Sequence, residues 1–120
     1  MSKLTQTVQT GDWANEKHVP EIDFESVENG KVKIRAAVGT EIEHPNTLEH
    51  HIAWIKVFFQ AEGAQFPVEI ASSEFTAHGE EDLYTIPCAT GYIKAGGKGT
   101  IYALSYCNIH GLWENSAELN

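Results

Sequence analysis

The sequence predicts an all-β fold: an antiparallel β-sandwich of about seven short strands, in a single domain over residues 1–120. Apolar and polar residues alternate in several separate runs, as they do in strands that bury one face. Turn-forming residues separate these runs, and no stretch sustains a helical period. A chain of 120 residues is also long enough to bury a core of its own.

A polar N-terminal arm precedes the first predicted strand. The arm covers residues 1–15, and we expect its one large apolar residue, Trp13, to anchor it to the body of the protein. Residues 31–38 then alternate cleanly, with Val32 and Ile34 on the same face. This pattern predicts a half-buried strand with that face toward the core.

The middle of the chain predicts two more strands. In the run that begins at His51, Ile55 and Val57 share the face that we assign to the core, while Ile52 falls on the opposite face. Residues 65–73 alternate again and predict a further strand. Both assignments rest on the period-two spacing of apolar side chains.

The last third of the chain predicts a turn followed by two strands. The glycine-rich residues 94–99 are typical of a hairpin turn. Residues 100–106 form a long strand-like run that leads directly into Cys107, and residues 111–113 begin a final edge segment. A rigid strand would therefore hold Cys107 in place.

The charge and composition exclude several kinds of partner. A formal net charge of −9 argues against binding to nucleic acid or to anionic membranes. No apolar run approaches the length of a membrane span, and residues 1–7 lack the apolar core of a signal peptide. Two cysteines do not make a disulfide framework, so we expect a cytoplasmic protein.

Cys107 and His110 are candidate metal ligands, because a thiolate and an imidazole separated by two residues can reach one ion from a tight turn. Further candidates upstream are His18, His44 and His50. The capping-box pattern of residues 46–49 predicts a helical turn between His44 and His50. By contrast, we do not predict a metal role for Cys88, which we expect to be buried, or for His51 and His78.

Residue types alone leave the metal open. Zinc would account for Cys107 and three histidines, but it would leave one histidine and the pair Glu16–Lys17 without a role. A blue-copper site uses two histidines, a cysteine and a weak axial ligand. The only methionine that could serve as this axial ligand is Met1, although a glutamine or a backbone oxygen could take the axial position instead. Five strong ligands suit a redox-active iron best.

Three motifs in this order resemble those of the superoxide reductase family, in its one-iron neelaredoxin form: residues 16–20 (EKHVP), 44–51 (HPNTLEHH) and 107–113 (CNIHGLW). The resemblance extends over nearly the whole chain. The two-iron desulfoferrodoxins carry an additional N-terminal domain with four cysteines. This chain has two cysteines, both in its C-terminal half, and therefore resembles the one-iron type.

The resemblance implies an immunoglobulin-like β-sandwich with one mononuclear non-haem iron. The implied ligands are the imidazoles of His18, His44, His50 and His110, with Cys107 as the axial thiolate. Glu16 would bind the ferric ion and leave on reduction, and Lys17 would lie near the open face. The implied activity is reduction of superoxide to hydrogen peroxide by a homotetramer, with electrons from a rubredoxin-like donor. The alternative is a non-catalytic electron-transfer or metal-binding domain.

Overall fold

The protein is described by a computed structural model that covers residues 2–11, 17–40, 42–94 and 97–120. Within these ranges the chain forms two antiparallel sheets, with strand orders β1-β2-β5 and β4-β3-β6-β7. The strands are β1 (Glu21–Val27), β2 (Lys31–Ala37), β3 (Ile52–Ala61), β4 (Val68–Glu74), β5 (Cys88–Lys94), β6 (Gly99–Cys107) and β7 (Gly111–Leu119). Three single 3-10 turns accompany them: Leu4–Gln6, Glu28–Gly30 and Glu80–Asp82. The predicted all-β sandwich of seven strands is confirmed, and no helix in the described ranges has the length and apolar character to cross a membrane.

The core lies between the two sheets and is built from the faces that the alternation predicts. Val32 and Ile34 of β2 are buried, and so are Ile55 and Val57 of β3. Ile52 is also buried, which contradicts its predicted position on the opposite face. The register of β3 against β6 shifts just after Ile52, so that the irregularity turns this side chain back into the core.

The predicted hairpin at residues 94–99 is wrong. β5 pairs with β2 and β6 pairs with β3, so the connection passes from one sheet to the other; Ala95 and Gly96 in it lie outside the described residues. Glycine is required at Gly99 for a different reason, since a Cβ atom there would lie 2.5 Å from the carbonyl oxygen of Gln60. The glycines show where the chain reverses but not which strands it joins.

Edge strands account for the other differences. The sequence interpretation missed β1, because its burial is low along most of its length and only Ile22 packs against the core. The strand predicted at residues 65–73 is present as β4, but it begins only at Val68. Both Val68 and the preceding Phe66 are exposed. A strand at the edge of a sheet needs no continuous apolar face, so its alternation carries little information.

The four-stranded sheet brings the candidate ligands to one of its ends. β6 ends at Cys107, where it lies opposite Ile52, the first residue of β3. The chain turns back into β7, with Cys107 paired to Gly111, whose φ of +79° suits a tight turn. The segment before β3 and the turn after β6 therefore lie side by side.

Candidate metal centre

Five of the predicted ligands meet at this end of the sandwich. The potential ligand atoms of His18, His44, His50 and Cys107 all lie within 4.8 Å of one another. His110 completes the group, because its Nδ1 lies 3.1 Å from His18 Nε2 and 3.9 Å from Cys107 Sγ. Residues from three separate parts of the chain thus converge on one point.

The four imidazoles form a closed ring of edge-to-face neighbours. Their centroids are 4.6 Å apart for His18–His44, 4.8 Å for His44–His50, 5.0 Å for His50–His110 and 5.1 Å for His110–His18. The angles between neighbouring ring planes run from 74° to 87°. Cys107 contributes a fifth donor, with Sγ 3.5 Å from His44 Nε2. This arrangement places four nitrogen donors around a centre and one sulfur beside them.

Burial is uneven across the centre. His18 and Cys107 are completely buried, and His44 is 6% exposed. His50 and His110, by contrast, are only partly buried. Among the described residues, His50 and His110 are therefore the least buried members of the centre, while the cysteine is protected from water.

Hydrogen bonds fix which nitrogen of His44 faces the centre. Its Nδ1 lies 2.7 Å from the carbonyl oxygen of Pro45. A carbonyl can only accept, so Nδ1 carries the proton and the lone pair of Nε2 points toward Cys107. His110 uses the other nitrogen, since its Nδ1 faces His18. Each ring thus turns one nitrogen toward the centre, where its lone pair could bind a metal.

The segment that carries His44 and His50 is held by side chains and has no helical turn, so that prediction is wrong. The amide of Asn46 does not cap a helix but donates to the carbonyl of Thr85 at 3.0 Å. Thr47 Oγ1 instead accepts the N–H of His50 at 3.1 Å. Local side-chain bonds of this kind compete with helix formation.

Gly39 supports the same segment, and the sequence interpretation missed it. Its φ is +81°, and a Cβ atom there would lie 2.8 Å from the backbone nitrogen of His44. Only glycine allows the chain to pass this close to a candidate ligand. A glycine a few residues before a histidine is too common a pattern to reveal this requirement.

The turn after β6 is tied both to the sulfur and to the neighbouring segment. The backbone N–H of His110 points at Cys107 Sγ at 3.4 Å. The side chain of Asn108 accepts from the backbone N–H of His51 at 2.8 Å and donates to the carbonyl of Glu49 at 3.0 Å. Asn108 therefore fixes the spacing between the two segments that supply most of the donors.

His18 is positioned by the core of the protein. Its ring stacks on Trp113, with centroids 4.3 Å apart and planes inclined by 12°. Trp113 also donates from Nε1 to the carbonyl of His110 at 3.2 Å, and Ser105 Oγ donates to the carbonyl of His18 at 2.9 Å. Trp113 thus links two candidate ligands, a role that no local motif indicates.

The other predicted site residues have different outcomes. Lys17 is partly buried beside His18, whereas Glu16 and the proposed anchor Trp13 lie outside the described residues. Cys88 is partly exposed rather than buried, and its Sγ lies 3.9 Å from Thr90 Oγ1. His51 and His78 stack on each other outside the ring of imidazoles.

The donor set fits a mononuclear iron better than the two competing metals. Neighbouring donors on one ion, each about 2.1–2.3 Å from it, lie about 3.0–3.3 Å apart when they are at right angles. The 3.1 Å and 3.5 Å donor pairs are close to this spacing. Four nitrogens and a sulfur exceed the four ligands of structural zinc and the two histidines of blue copper.

Comparisons with known proteins agree with this description. A family model described as desulfoferrodoxin matches residues 10–116. The superoxide reductase of Pyrococcus horikoshii is 53% identical over 116 residues, which is 97% of this chain and 98% of that protein. The neelaredoxin of Megalodesulfovibrio gigas is 43% identical, with 95% of each chain covered.

Solved structures are similar over the same length. A crystal structure of superoxide reductase in the oxidized state superposes with a TM-score of 0.94 at 49% identity, covering 98% of this chain and 100% of the other. The superoxide reductase (neelaredoxin) from Archaeoglobus fulgidus in the reduced form has a TM-score of 0.88 at 48% identity, with 95% and 98% covered. The similarity therefore includes both sheets and the end that carries the imidazole ring.

Proposed function

Because the chain belongs to the desulfoferrodoxin family, we propose that it is a superoxide reductase. The reaction adds one electron and two protons to superoxide, forms hydrogen peroxide and releases no dioxygen. The observation that carries the proposal is the closed ring of four imidazoles with a buried cysteine beside it. That donor set suits a single non-haem iron.

The proposed ligands are His18, His44, His50, His110 and Cys107, with Glu16 added in the ferric state. These residues would hold an iron ion, which would supply the electron for the reduction of superoxide. Four neutral imidazoles and one thiolate carry one negative charge, so a ferrous centre keeps a net positive charge and attracts an anion. The partly buried side, at His50 and His110, is where we place the approach of substrate and of protons from water.

The partners of this reaction are also proposals. Each turnover consumes an electron, so an external donor is needed, and we propose a rubredoxin-like protein in the cytoplasm. We further propose that the chain assembles as a homotetramer. Both proposals come from the family resemblance of the sequence motifs.

The reaction products test the proposed function. Reduced, iron-loaded protein mixed with superoxide should give one hydrogen peroxide for each ferrous site oxidised, without dioxygen. Equal amounts of dioxygen and peroxide would indicate dismutation and contradict the proposal. An optical spectrum of the oxidised protein distinguishes the proposed iron enzyme from the alternative, a non-catalytic metal-binding domain. A thiolate-to-ferric band supports iron, whereas an intense blue copper band or a colourless zinc form does not.

Lys17→Ala should lower the second-order rate constant for superoxide by about 10-fold, the lower end of electrostatic steering. The physical reason is that a net charge of −9 repels the anion, so a cation beside His18 matters for its approach. Pulse radiolysis over a salt series measures this effect, and salt should slow the wild type more than the variant, because screening acts over about 10 Å at 0.1 M. Lys17→Arg is the control and should keep most of the rate. An unchanged rate and salt slope in the alanine variant would remove Lys17 from substrate capture.

Glu16→Ala should shift the ferric absorption band and leave the rate of the superoxide encounter nearly unchanged. The reason is that an anionic ligand suits the ferric ion, whereas on the ferrous ion it would occupy the substrate position. Stopped-flow spectra of the oxidised and reduced protein measure the two effects separately. A large loss of second-order rate would instead make Glu16 part of substrate capture.

A further inference from the structure

The ring of His78 is buried and contacts an oxygen atom through each of its nitrogens. The residue is 7% exposed. Its Nδ1 lies 2.7 Å from Asn46 Oδ1, and its Nε2 lies 2.7 Å from the carbonyl oxygen of Phe75. The first contact joins this ring to the segment that carries His44 and His50.

Both oxygens can only accept. The Phe75 group is a backbone carbonyl, and the orientation of Asn46 is fixed because its Nδ2 donates to the carbonyl of Thr85. The amide oxygen of Asn46 therefore faces His78. A neutral imidazole has one N–H and could satisfy only one of these contacts. The ring satisfies both when it carries a proton on each nitrogen.

We propose that His78 is a positioning residue of the metal centre: its ring donates from both nitrogens and, through Asn46, holds the segment between His44 and His50 in place. The proposal rests on the proposed function only in taking His44 and His50 as metal ligands. It assigns to His78 a role that its sequence context did not indicate.

The groups around the ring are compatible with a cation. His51 stacks on it at 3.5 Å with planes 10° apart, and His51 Nδ1 donates to the carbonyl of Thr47 at 2.8 Å. The backbone N–H of His78 donates to Glu80 and lowers the pKa of that carboxyl, with smaller contributions in the same direction from the rings of His78 and His51. Tyr84 pairs with His78 across a backbone bridge.

The segment depends on such support because residues 42–51 form no helix or strand. Asn46 lies two residues after His44 and four before His50, so fixing its side chain restricts both histidines. Groups outside the ligand set that orient ligands typically change metal affinity by about 10- to 100-fold when removed. Because His78 acts on the ligands only through Asn46, we expect its removal to weaken metal affinity by about 10-fold, the lower end of this range.

The protonation of the ring is tested directly by NMR of the zinc-loaded protein, in which zinc is a diamagnetic substitute for iron. Two-bond proton–nitrogen correlations at neutral pH should show a proton on both nitrogens of His78 and on only one nitrogen of His44. A single protonated nitrogen on His78 would overturn the proposal. This measurement uses the wild-type chain, so it does not depend on any variant folding.

The positioning role is tested by cobalt(II) affinity in competition with a chelator. His78→Phe keeps a ring to stack on His51 but removes both donors, and it should weaken cobalt binding by about 10-fold. Asn46→Ala should have a similar effect. Because both changes break the same link, the double variant should lose about 10-fold and not about 100-fold. Additive losses, or a His78→Phe variant that binds as tightly as the wild type, would contradict the proposal.

Two controls separate this proposal from the proposed function. Thr76→Ala changes an exposed residue of the same connection and should leave cobalt affinity unchanged. If the wild type bound no cobalt through these residues, the ligand assignment would be wrong. If the wild type bound cobalt and His78→Phe bound it equally well, only the role of His78 would be wrong.

Discussion

Cys107→Ser is expected to abolish superoxide reduction, even in protein that still holds iron through its histidines. Cys107 is the one sulfur donor in the cluster that the described residues form, and it is completely buried. A thiolate donates electron density strongly, whereas a serine hydroxyl stays protonated near neutral pH and donates weakly. The change is nearly isosteric, so loss of activity should not come from misfolding. Iron content and the rate with superoxide, measured on the same preparation, test this expectation.

Cys88→Ser is the matched control for this experiment. Cys88 is a partly exposed cysteine at the start of β5, outside the imidazole ring, and its replacement should leave both iron content and rate unchanged. The thiolate-to-ferric absorption band should likewise disappear in the Cys107 variant and persist in the Cys88 variant. Near-normal turnover by an iron-replete Cys107→Ser protein would show that the sulfur is not needed.

The fold could be predicted where a strand buries one face. β2 and β3 lie inside their sheets, and their alternation identified both strands and, apart from Ile52, the core residues assigned to them. β1 could not be found in this way, because an edge strand exposes most of its side chains. Pairing was also beyond local patterns: nothing within residues 94–99 indicates that the chain changes sheets there.

The candidate ligands could be predicted because their chemistry is rare and their spacing is local. A cysteine followed three positions later by a histidine is informative by itself, as Cys107 and His110 show. The residues that hold these ligands in place cannot be recognised from local sequence in the same way. Trp113 and Asn108 are ordinary residue types, and their roles arise only when distant segments of the chain meet. The double contact of His78 likewise requires knowledge of Asn46, a residue 32 positions away.

Gly39→Ala is expected to weaken metal binding by about 100-fold, the upper end of the range for groups that support ligands. A Cβ atom at this position would lie 2.8 Å from the backbone nitrogen of His44 and 3.3 Å from Glu43 Cα. Backbone atoms cannot rotate away as a side chain can, so the segment that carries His44 must shift. Competition between the protein and a chelator for cobalt(II) measures the loss.

Gly63→Ala separates this clash from ordinary backbone strain. Gly63 has nearly the same conformation, with φ +83° against +81° for Gly39, but no atom lies within 4 Å of its ideal Cβ position. A side chain disfavours this left-handed backbone region, which should cost each variant about 1–2 kcal/mol of folding stability, with the backbone clash adding to that cost at Gly39 alone. Only Gly39→Ala should also reduce cobalt affinity. Equal affinities in the two variants would mean that the close approach of Gly39 to His44 does not position the ligand.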